Sequence, residues 1–332
     1  MTNEISGKFN EGSDLGKREE AVLEEVSRLT GFSPERLLSR SAWWGSSEIG
    51  AFHYLGKYEG KEIVLKVQGV RPATSEIEMI KSFAATSKSK ILRPPHLYFS
   101  IPWSDEKRYE ALLLEYVQGN HVVNLPTNDR ELEEFFGLYR DYRENCLGSP
   151  WVEKPTESLS ERVRARFADW RKSSFKIYPN HPLRKEGDLK LIDEAVEILA
   201  RGYSQVEPEF GDGHLSDGDF IKVEGQVVIF SNLYWGWRAP CYDAVFGYHW
   251  FMYHLSGVVG ITPEKVEEQR SLWMKHISGL GLDERLLNLA LLERAAAGLN
   301  LDALSVDPEV PIAGHLVSKT REQVRNLIAV LS

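Results

Sequence analysis

Alternating and periodic apolar positions divide the first third of the chain into short elements. Residues 18–29 repeat apolar side chains at helical spacing, through Val22 and Val26, which predicts an amphipathic helix. Residues 49–54 alternate in polarity, and residues 62–67 form a strongly β-prone run. The other predicted segments are a short amphipathic stretch at 34–38, a helix at 74–85, and strands at 97–101 and 109–116.

Helical spacing dominates beyond residue 119. Residues 129–146 place their apolar side chains on one face, and we expect Asn128 to cap this helix. Two β-prone runs, 220–223 and 226–230, flank a Glu-Gly turn and predict a hairpin. Further helices are predicted at 160–175, 189–199, 242–255, 263–277, 283–297 and 319–331.

This order of elements predicts an α+β fold with two lobes. A small antiparallel-sheet lobe is expected at 1–118 and a larger, mainly helical lobe at 119–332. The chain has 332 residues, 42% of them hydrophobic, which is ample for one large bilobal unit.

Charge and cysteine content exclude several classes of protein. Forty basic and forty-nine acidic residues give a net charge of −9 without long runs of one sign, so we expect no nucleic-acid partner. Cys146 and Cys241 are the two cysteines, too few for a disulfide framework or a cysteine-based zinc site. The chain begins without an apolar leader and contains no run of eighteen apolar residues, so we expect a cytoplasmic protein with no membrane partner.

One lysine lies inside a strand-forming run. Lys66, in the sequence Val-Leu-Lys-Val, must either reach an anion or extend along a sheet edge into solvent. A small-residue turn, Gly45-Ser46-Ser47, precedes it. Three consecutive leucines at 112–114 lead into Glu115 and end at Gly119, as expected of a buried strand that stops abruptly.

The most informative segment is 211–234, where a polar loop with three aspartates and one histidine leads into the predicted hairpin. Its sequence Asp-Gly-His-Leu-Ser-Asp-Gly-Asp-Phe resembles the catalytic loop of the aminoglycoside phosphotransferase and choline kinase-like family of small-molecule kinases. That loop contains His-Gly-Asp, then a metal-binding Asn, and the hairpin after it ends in a metal-binding Asp. The resemblance implies a protein kinase-like fold with ATP and magnesium as cofactors.

The resemblance also assigns residues to the nucleotide. Phosphoryl transfer depends on positioned charges more than on covalent chemistry by the protein. Lys66 would bind phosphates, with Glu76 as its carboxylate partner, and backbone groups of the turn and of the lobe connector would hold the rest of the nucleotide. The residues implied are Lys66, Glu76, Gly45, Ser46, Glu115 and Val117.

Two registers relate the loop to the family. In the first, which needs no gap before the hairpin, His214 stands in place of the catalytic Asp and Asp219 in place of the metal-binding Asn. The metal-binding Asp then falls on Ser231, or on Asn232 with a one-residue shift, and neither is acidic. In the second register Asp212 would be the base and Asp217 a metal ligand. We favour the first, in which His214 is either a base near neutral pH or a loop histidine with no catalytic role.

Residues after the hairpin carry the resemblance further. Asp243 matches an aspartate that braces the catalytic loop in the family, whereas Arg238 stands where the family commonly has an acid. Three arginines on one predicted helix, Arg162, Arg164 and Arg166, are expected to be solvated. His249 and His254 lie five residues apart, which does not suit a shared metal.

The altered loop leads to two functional hypotheses. The first is a pseudokinase-like protein that binds nucleotide but has lost or impaired turnover, because loss of one member of a catalytic set costs orders of magnitude in rate. The second is an active ATP-dependent phosphotransferase acting on an amino sugar, amino alcohol or sugar. A small-molecule substrate is expected in the second case, and the first allows for a protein partner.

Overall fold

The structure, a computed structural model, describes residues 15–41, 51–69, 71 and 74–332. The chain divides into two compact units. The sheet unit comprises the described part of Met1–Ala85 together with Arg93–Gly119, and the helical unit comprises Thr86–Leu92 together with Asn120–Ser332.

Strands and helices are numbered in chain order within the described residues. The strands are β1 (Ser33–Ser41), β2 (Ala51–Tyr58), β3 (Lys61–Gln68), β4 (Leu92–Arg93), β5 (Leu97–Ile101), β6 (Glu110–Glu115), β7 (Asn120–His121), β8 (Glu209–Gly211), β9 (Phe220–Val223), β10 (Gln226–Ile229) and β11 (Gly236–Arg238). The α-helices are α1 (Leu15–Thr30), α2 (Glu76–Thr86), α3 (Asp129–Asp141), α4 (Leu159–Ile177), α5 (Asp188–Gly202), α6 (Tyr242–His254), α7 (Pro263–Ser278), α8 (Glu284–Asn300) and α9 (Ala313–Leu331). No helix among these is long and apolar enough to cross a membrane.

The sheet unit is built on five antiparallel strands in the order β1-β2-β3-β6-β5. Successive side chains of a strand point to opposite faces. Leu65 and Val67 of β3 therefore join the core that includes Val22 and Val26 of α1. On β6, Leu112 packs with residues of α2 in a second cluster. β1 covers the stretch in which the sequence indicated only a short amphipathic segment, because pairing with β2 fixes its extended form.

The helical unit has an aromatic core and one central helix. Rings of α3, α7 and β9 meet edge to face, with Phe135 lying 5.2 Å from Phe220 and 5.3 Å from Trp273. α8 is buried on almost every side from Leu289 to Asn300. Asn128 caps α3 by accepting from the Glu131 N–H, as the sequence predicted.

Two small sheets support the loop at 211–219. The hairpin β9-β10 belongs to a four-stranded sheet in the order β4-β10-β9-β7. Strands β8 and β11 pair antiparallel, with Gly211 opposite Gly236. This pairing holds together the two ends of the segment that contains the loop and the hairpin. The predicted α+β fold, with a small antiparallel sheet and a larger helical part, is confirmed.

Candidate functional site

Lys66 forms an ion pair with Glu76 in the sheet unit. Lys66 alternates with the core residues Leu65 and Val67, so its side chain projects from the opposite face of β3. Its Nζ lies 2.6 Å from Oε2 of Glu76, the first residue of α2. The Glu76 side chain is 3% exposed and that of Lys66 is 17% exposed. The structure therefore brings together the lysine and the glutamate that the resemblance implied.

A second buried acid, Glu110, fixes the start of α2. Its two oxygens accept hydrogen bonds from the Glu76 N–H at 3.2 Å and from the Ser75 hydroxyl at 2.7 Å. Gln68 donates to Glu76 Oε2 at 2.8 Å, which orients the carboxylate toward Lys66. Burial raises the pKa of Glu110. Sequence reasoning missed Glu110, since it lies 34 residues from Glu76 and belongs to no motif.

The other nucleotide predictions have mixed outcomes. Gly45 and Ser46 lie outside the described residues. The Glu115 N–H already donates to the His96 carbonyl at 2.9 Å, and the Glu115 carboxylate pairs with both terminal nitrogens of Arg93. The N–H of Glu115 is therefore engaged within the sheet unit, and a role of Glu115 in nucleotide binding stays a prediction. Val117 lies in the irregular segment after β6 and is half-buried.

Asp243 braces the loop of the helical unit. Its Oδ1 accepts from the Gly213 N–H at 2.9 Å, and its Oδ2 accepts from the Tyr142 hydroxyl at 2.8 Å. The same hydroxyl accepts from the Asp212 N–H at 2.6 Å. Gly213 has a φ of 75°, a conformation that favours glycine. The bracing predicted for Asp243 is confirmed.

Asp212 is a buried structural acid. Its side chain is fully buried, Oδ1 accepts from the His214 N–H at 2.9 Å, and Oδ2 has no hydrogen-bond partner among the described residues. Burial first, and then the carboxylates of Asp243 and Asp219, raise the pKa of Asp212 well above its usual value. These conditions favour the protonated form. A buried acid held in this form is a poor base, which disfavours the second register, and the catalytic role of Asp212 stays a prediction.

Asp219 is surrounded by hydrogen-bond donors. Its Oδ2 accepts from the N–H and the hydroxyl of Ser216, at 3.0 and 2.5 Å, and from Nδ1 of His214 at 3.2 Å. Its Oδ1 accepts from the Ser231 hydroxyl at 2.6 Å. Burial works to raise the pKa of Asp219, but the hydrogen bonds and charge of His214 and the two serine hydroxyls lower it overall. The carboxylate is thus ionised and satisfied by the protein itself.

His214 is held between two aromatic rings. Its ring stacks on Tyr234 with centroids 4.4 Å apart and lies 4.7 Å from that of Phe246. The side chain is 25% exposed. Since ionised Asp219 can only accept, Nδ1 of His214 carries the hydrogen, and Nε2 of a neutral ring is then a free acceptor. Of the two residues predicted to be catalytic, His214 alone has the exposure that proton transfer to a ligand requires.

Asp217 and Asn232 have structural partners. Both carboxylate oxygens of Asp217 lie 3.0 Å from Nδ1 of His254, and the Asp217 side chain is 4% exposed. Asn232 donates to the Ile229 carbonyl at 2.9 Å and accepts from the Trp235 indole N–H at 3.1 Å. Both side chains thus already have hydrogen-bond partners within the protein, and their roles as metal ligands stay predictions. These contacts support the first register, in which Asp219 lies beside Ser231.

The residues present do not fit a magnesium ion. Magnesium requires several oxygen ligands in near-octahedral geometry, usually with carboxylates among them. Asp219 lies beside Ser231 at the end of the hairpin, and internal donors occupy both its oxygens. No cluster of three or more His, Cys, Asp or Glu side chains suited to a metal occurs in the part of the chain that the structure describes.

Comparison with solved structures identifies the class of fold. The chain is similar to a thermostable mutant of aminoglycoside phosphotransferase APH(4)-Ia in a ternary complex with ADP and hygromycin B, at a TM-score of 0.59 and 12% identity over 92% of this chain and 97% of that one. It is also similar to spectinomycin phosphotransferase APH(9)-Ia with ADP and spectinomycin, at 0.53 and 13% over 92% and 97%.

A third neighbour widens the range of ligands. Amicoumacin kinase hAmiN, in complex with AMP-PNP, Ca2+ and amicoumacin, matches at a TM-score of 0.58 and 14% identity over 94% of this chain and 95% of that one. No protein-family model and no curated protein matches the chain. The chain has the kinase-like fold of aminoglycoside phosphotransferases and related small-molecule kinases, as its sequence resemblance predicted. At these identities the similarity establishes the fold alone.

Proposed function

We propose that this phosphotransferase-like protein binds a nucleotide but has lost or impaired the metal-dependent phosphoryl transfer of its structural neighbours. The observation that carries the proposal is the state of Asp219, whose carboxylate is satisfied by Ser216, Ser231 and His214. A ligand for a metal ion needs free lone pairs, and the alternatives in the loop are all occupied or buried.

The nucleotide part of the proposal rests on the Lys66–Glu76 ion pair. Glu76 is held by Gln68 and by the contacts of Glu110 to the start of α2, so the lysine is positioned before any ligand arrives. A lysine ammonium on a rigid strand is a suitable point charge for phosphate oxygens. Several neighbours of this fold were crystallised with ADP or AMP-PNP, which agrees with the same use here.

The exchange of an acid and a histidine in the loop supports the proposed loss of phosphoryl transfer. Where the family has His-Gly-Asp, this chain has Asp212-Gly213-His214, so the acid lies in the buried position and the histidine in the partly exposed one. The acid expected at the end of the hairpin is Ser231, whose hydroxyl binds Asp219. The carboxylates of this loop thus form hydrogen bonds that stabilise the loop itself, and they are not available to hold a metal ion or to accept a proton.

A second candidate is an active phosphotransferase in which His214 is the base. The specific observation in its favour is the contact between Asp219 and Nδ1 of His214, which fixes the tautomer and would stabilise an imidazolium. In that case Nε2 of His214 would accept the proton of an acceptor hydroxyl, and Asp219 would be a positioning residue.

Nucleotide binding and turnover can be tested separately. ADP binding measured by calorimetry should be weakened about tenfold or more by Lys66→Met, because a charge-assisted contact is lost. Lys57→Met is a matched control, since Lys57 lies on the neighbouring strand with 57% of its side chain exposed. Absence of ADP binding to the wild-type protein would contradict the proposal.

Turnover is tested by release or transfer of the γ-phosphate of ATP in the presence of amino sugars, amino alcohols and sugars. The proposal expects none above background. Turnover that is abolished by Lys66→Met and by His214→Ala would establish the second candidate in its place. Turnover abolished by Asp212→Ala and retained by His214→Ala would show that the favoured register is wrong.

A further inference from the structure

The three arginines of α4 have different environments, contrary to the expectation that all are solvated. Arg164 points outward, with 46% of its side chain exposed, and pairs with Glu197 through Nε and Nη2. Arg166 is 25% exposed and pairs with Glu293, which is fully buried on α8. Arg162 is half-buried and forms no ion pair within the described residues.

Arg162 meets a second arginine at one backbone carbonyl. Nη2 of Arg162 donates to the Trp237 carbonyl at 2.5 Å, and Nη1 of Arg238 donates to the same oxygen at 3.1 Å. Arg238 also forms no ion pair in the part of the chain that the structure describes. Nη1 of Arg162 is a buried donor without a hydrogen-bond partner. The two guanidinium groups therefore converge on one carbonyl oxygen, and one buried N–H donor of Arg162 is left without a hydrogen-bond partner.

The charges around this pair leave it short of negative charge. Burial, and then the charges of Arg166 and Arg238, lower the pKa of Arg162, while Glu293 and Glu157 act in the opposite direction. Glu293 already binds Arg166 and the Tyr203 hydroxyl. Arginine stays protonated in proteins, so a bound anion would reduce the unfavourable energy of the converging cations.

Arg238 connects this pair to the loop that contains His214. Its Nη2 donates to the Tyr234 carbonyl at 2.9 Å, and the Tyr234 ring stacks on His214. Its Nε lies 2.7 Å from the position that a Cβ on Gly213 would occupy, so the guanidinium packs against the loop itself. Asp212 and Asp243 act electrostatically on Arg238, but the oxygens of Asp243 are already occupied by Gly213 and Tyr142.

We propose that Arg162 and Arg238 form a binding site for the oxyanion group of a small molecule, a phosphate or a carboxylate, beside the His214 loop. Planar guanidinium groups match these anions through paired N–H donors. An ammonium group at this position would meet two cations that lack ion-pair partners, so amino sugars are disfavoured as ligands. The site is independent of the nucleotide proposal, because Lys66 belongs to the sheet unit.

The test is calorimetric titration of inorganic phosphate, with acetate as a second probe, at constant ionic strength adjusted with sodium chloride. The wild-type protein and Lys66→Met are both expected to bind one of these anions saturably. Arg162→Gln and Arg238→Gln should weaken binding about tenfold or more through loss of a charge-assisted hydrogen bond. Arg164→Gln, two residues away on α4 and exposed, should change binding by less than about two-fold, as expected for a surface pair.

Arg162→Lys is a second variant whose result does not depend on correct folding of Arg162→Gln. It keeps the charge without the paired donors, so it should bind the anion more weakly than wild type and more tightly than Arg162→Gln. The site is overturned if neither anion binds, if Lys66→Met abolishes anion binding, or if Arg164→Gln weakens it as much as Arg162→Gln. Loss of ADP binding with anion binding retained would contradict the proposed function and leave this site standing.

Discussion

Removal of the Ser231 hydroxyl tests whether Asp219 is satisfied by the protein. In Ser231→Ala the Asp219 Oδ1 loses its donor at 2.6 Å, while Oδ2 keeps Ser216 and His214. Ser231 has a φ of 60°, a left-handed conformation that is equally unfavourable for serine and for alanine. The backbone strain is therefore the same in the variant and in the wild type. The change therefore isolates one hydrogen bond.

The magnitude follows from the charge and burial of the acceptor. A hydrogen bond to an ionised group contributes roughly 1.5–3 kcal/mol, about twice a neutral one. Asp219 is 7% exposed, so water has little access to replace the lost donor. We expect Ser231→Ala to lower the free energy of unfolding of the helical unit by about 1.5–3 kcal/mol.

The assay is urea denaturation followed by tryptophan fluorescence, since Trp235 and Trp237 lie on the segment after Ser231. Ser204→Ala is the control, because its hydroxyl donates to the neutral Arg201 carbonyl at an exposed position and the change should stay within about 0.5 kcal/mol. Equal stabilities of Ser231→Ala, Ser204→Ala and the wild type would refute the reasoning on Asp219.

Two further changes probe the surroundings of the loop. Burial opposes protonation of His254, but the charge and hydrogen bonds of Asp217 raise its pKa above 6.5 overall, so its contribution to stability is complete below pH 6.5 and is lost as the pH rises through the folded-state pKa. Denaturation midpoints measured from pH 6 upward should therefore fall more steeply in the wild type than in His254→Gln, and parallel curves would contradict this. Gly211→Ala would place a Cβ 2.4 Å from Oδ2 of Asp243, so we expect a loss of about 1–3 kcal/mol in urea denaturation. Gly187→Ala, with no atom within 4 Å of its Cβ, is the control and should be close to neutral.

The fold was largely predictable because its elements repeat their apolar residues over many positions. The long amphipathic helices and the hairpin occur close to their expected positions, since burial of one face dictates the period. β1 escaped prediction because its extended form depends on pairing with β2, which the local pattern of Ser33–Ser41 does not encode.

The residues of the candidate site that belong to a sequence motif were predictable. Lys66 and Glu76 meet as expected, and Asp243 accepts from the loop backbone. The second register is disfavoured because Asp212 is fully buried and Asp217 pairs with His254 on α6. Sequence spacing alone gives no measure of burial, which decides whether an acid can serve as a base or a ligand.

Contacts between distant parts of the chain could not be inferred from spacing. Glu110 supports Glu76 across 34 residues, and Arg162 meets Arg238 at the Trp237 carbonyl, 75 residues from Arg162. Arg162, Arg164 and Arg166 look alike in sequence, and only the packing of α4 against its neighbours separates the inward side chains from the outward one. These contacts depend on tertiary packing, which the spacing of residues in the sequence does not reveal.

The most direct test of the central claim is the magnesium dependence of nucleotide binding. Calorimetry with ADP, in magnesium chloride and in EDTA, compares the wild-type protein with the double variant Asp219→Asn/Ser231→Asp, which introduces the two metal-binding residues that the sequence resemblance implies at these positions. If Asp219 is satisfied by internal donors, magnesium should change the wild-type affinity by less than about two-fold and should strengthen binding by the double variant. A wild-type affinity that rises about tenfold or more with magnesium, close to 1.4 kcal/mol, would contradict the account.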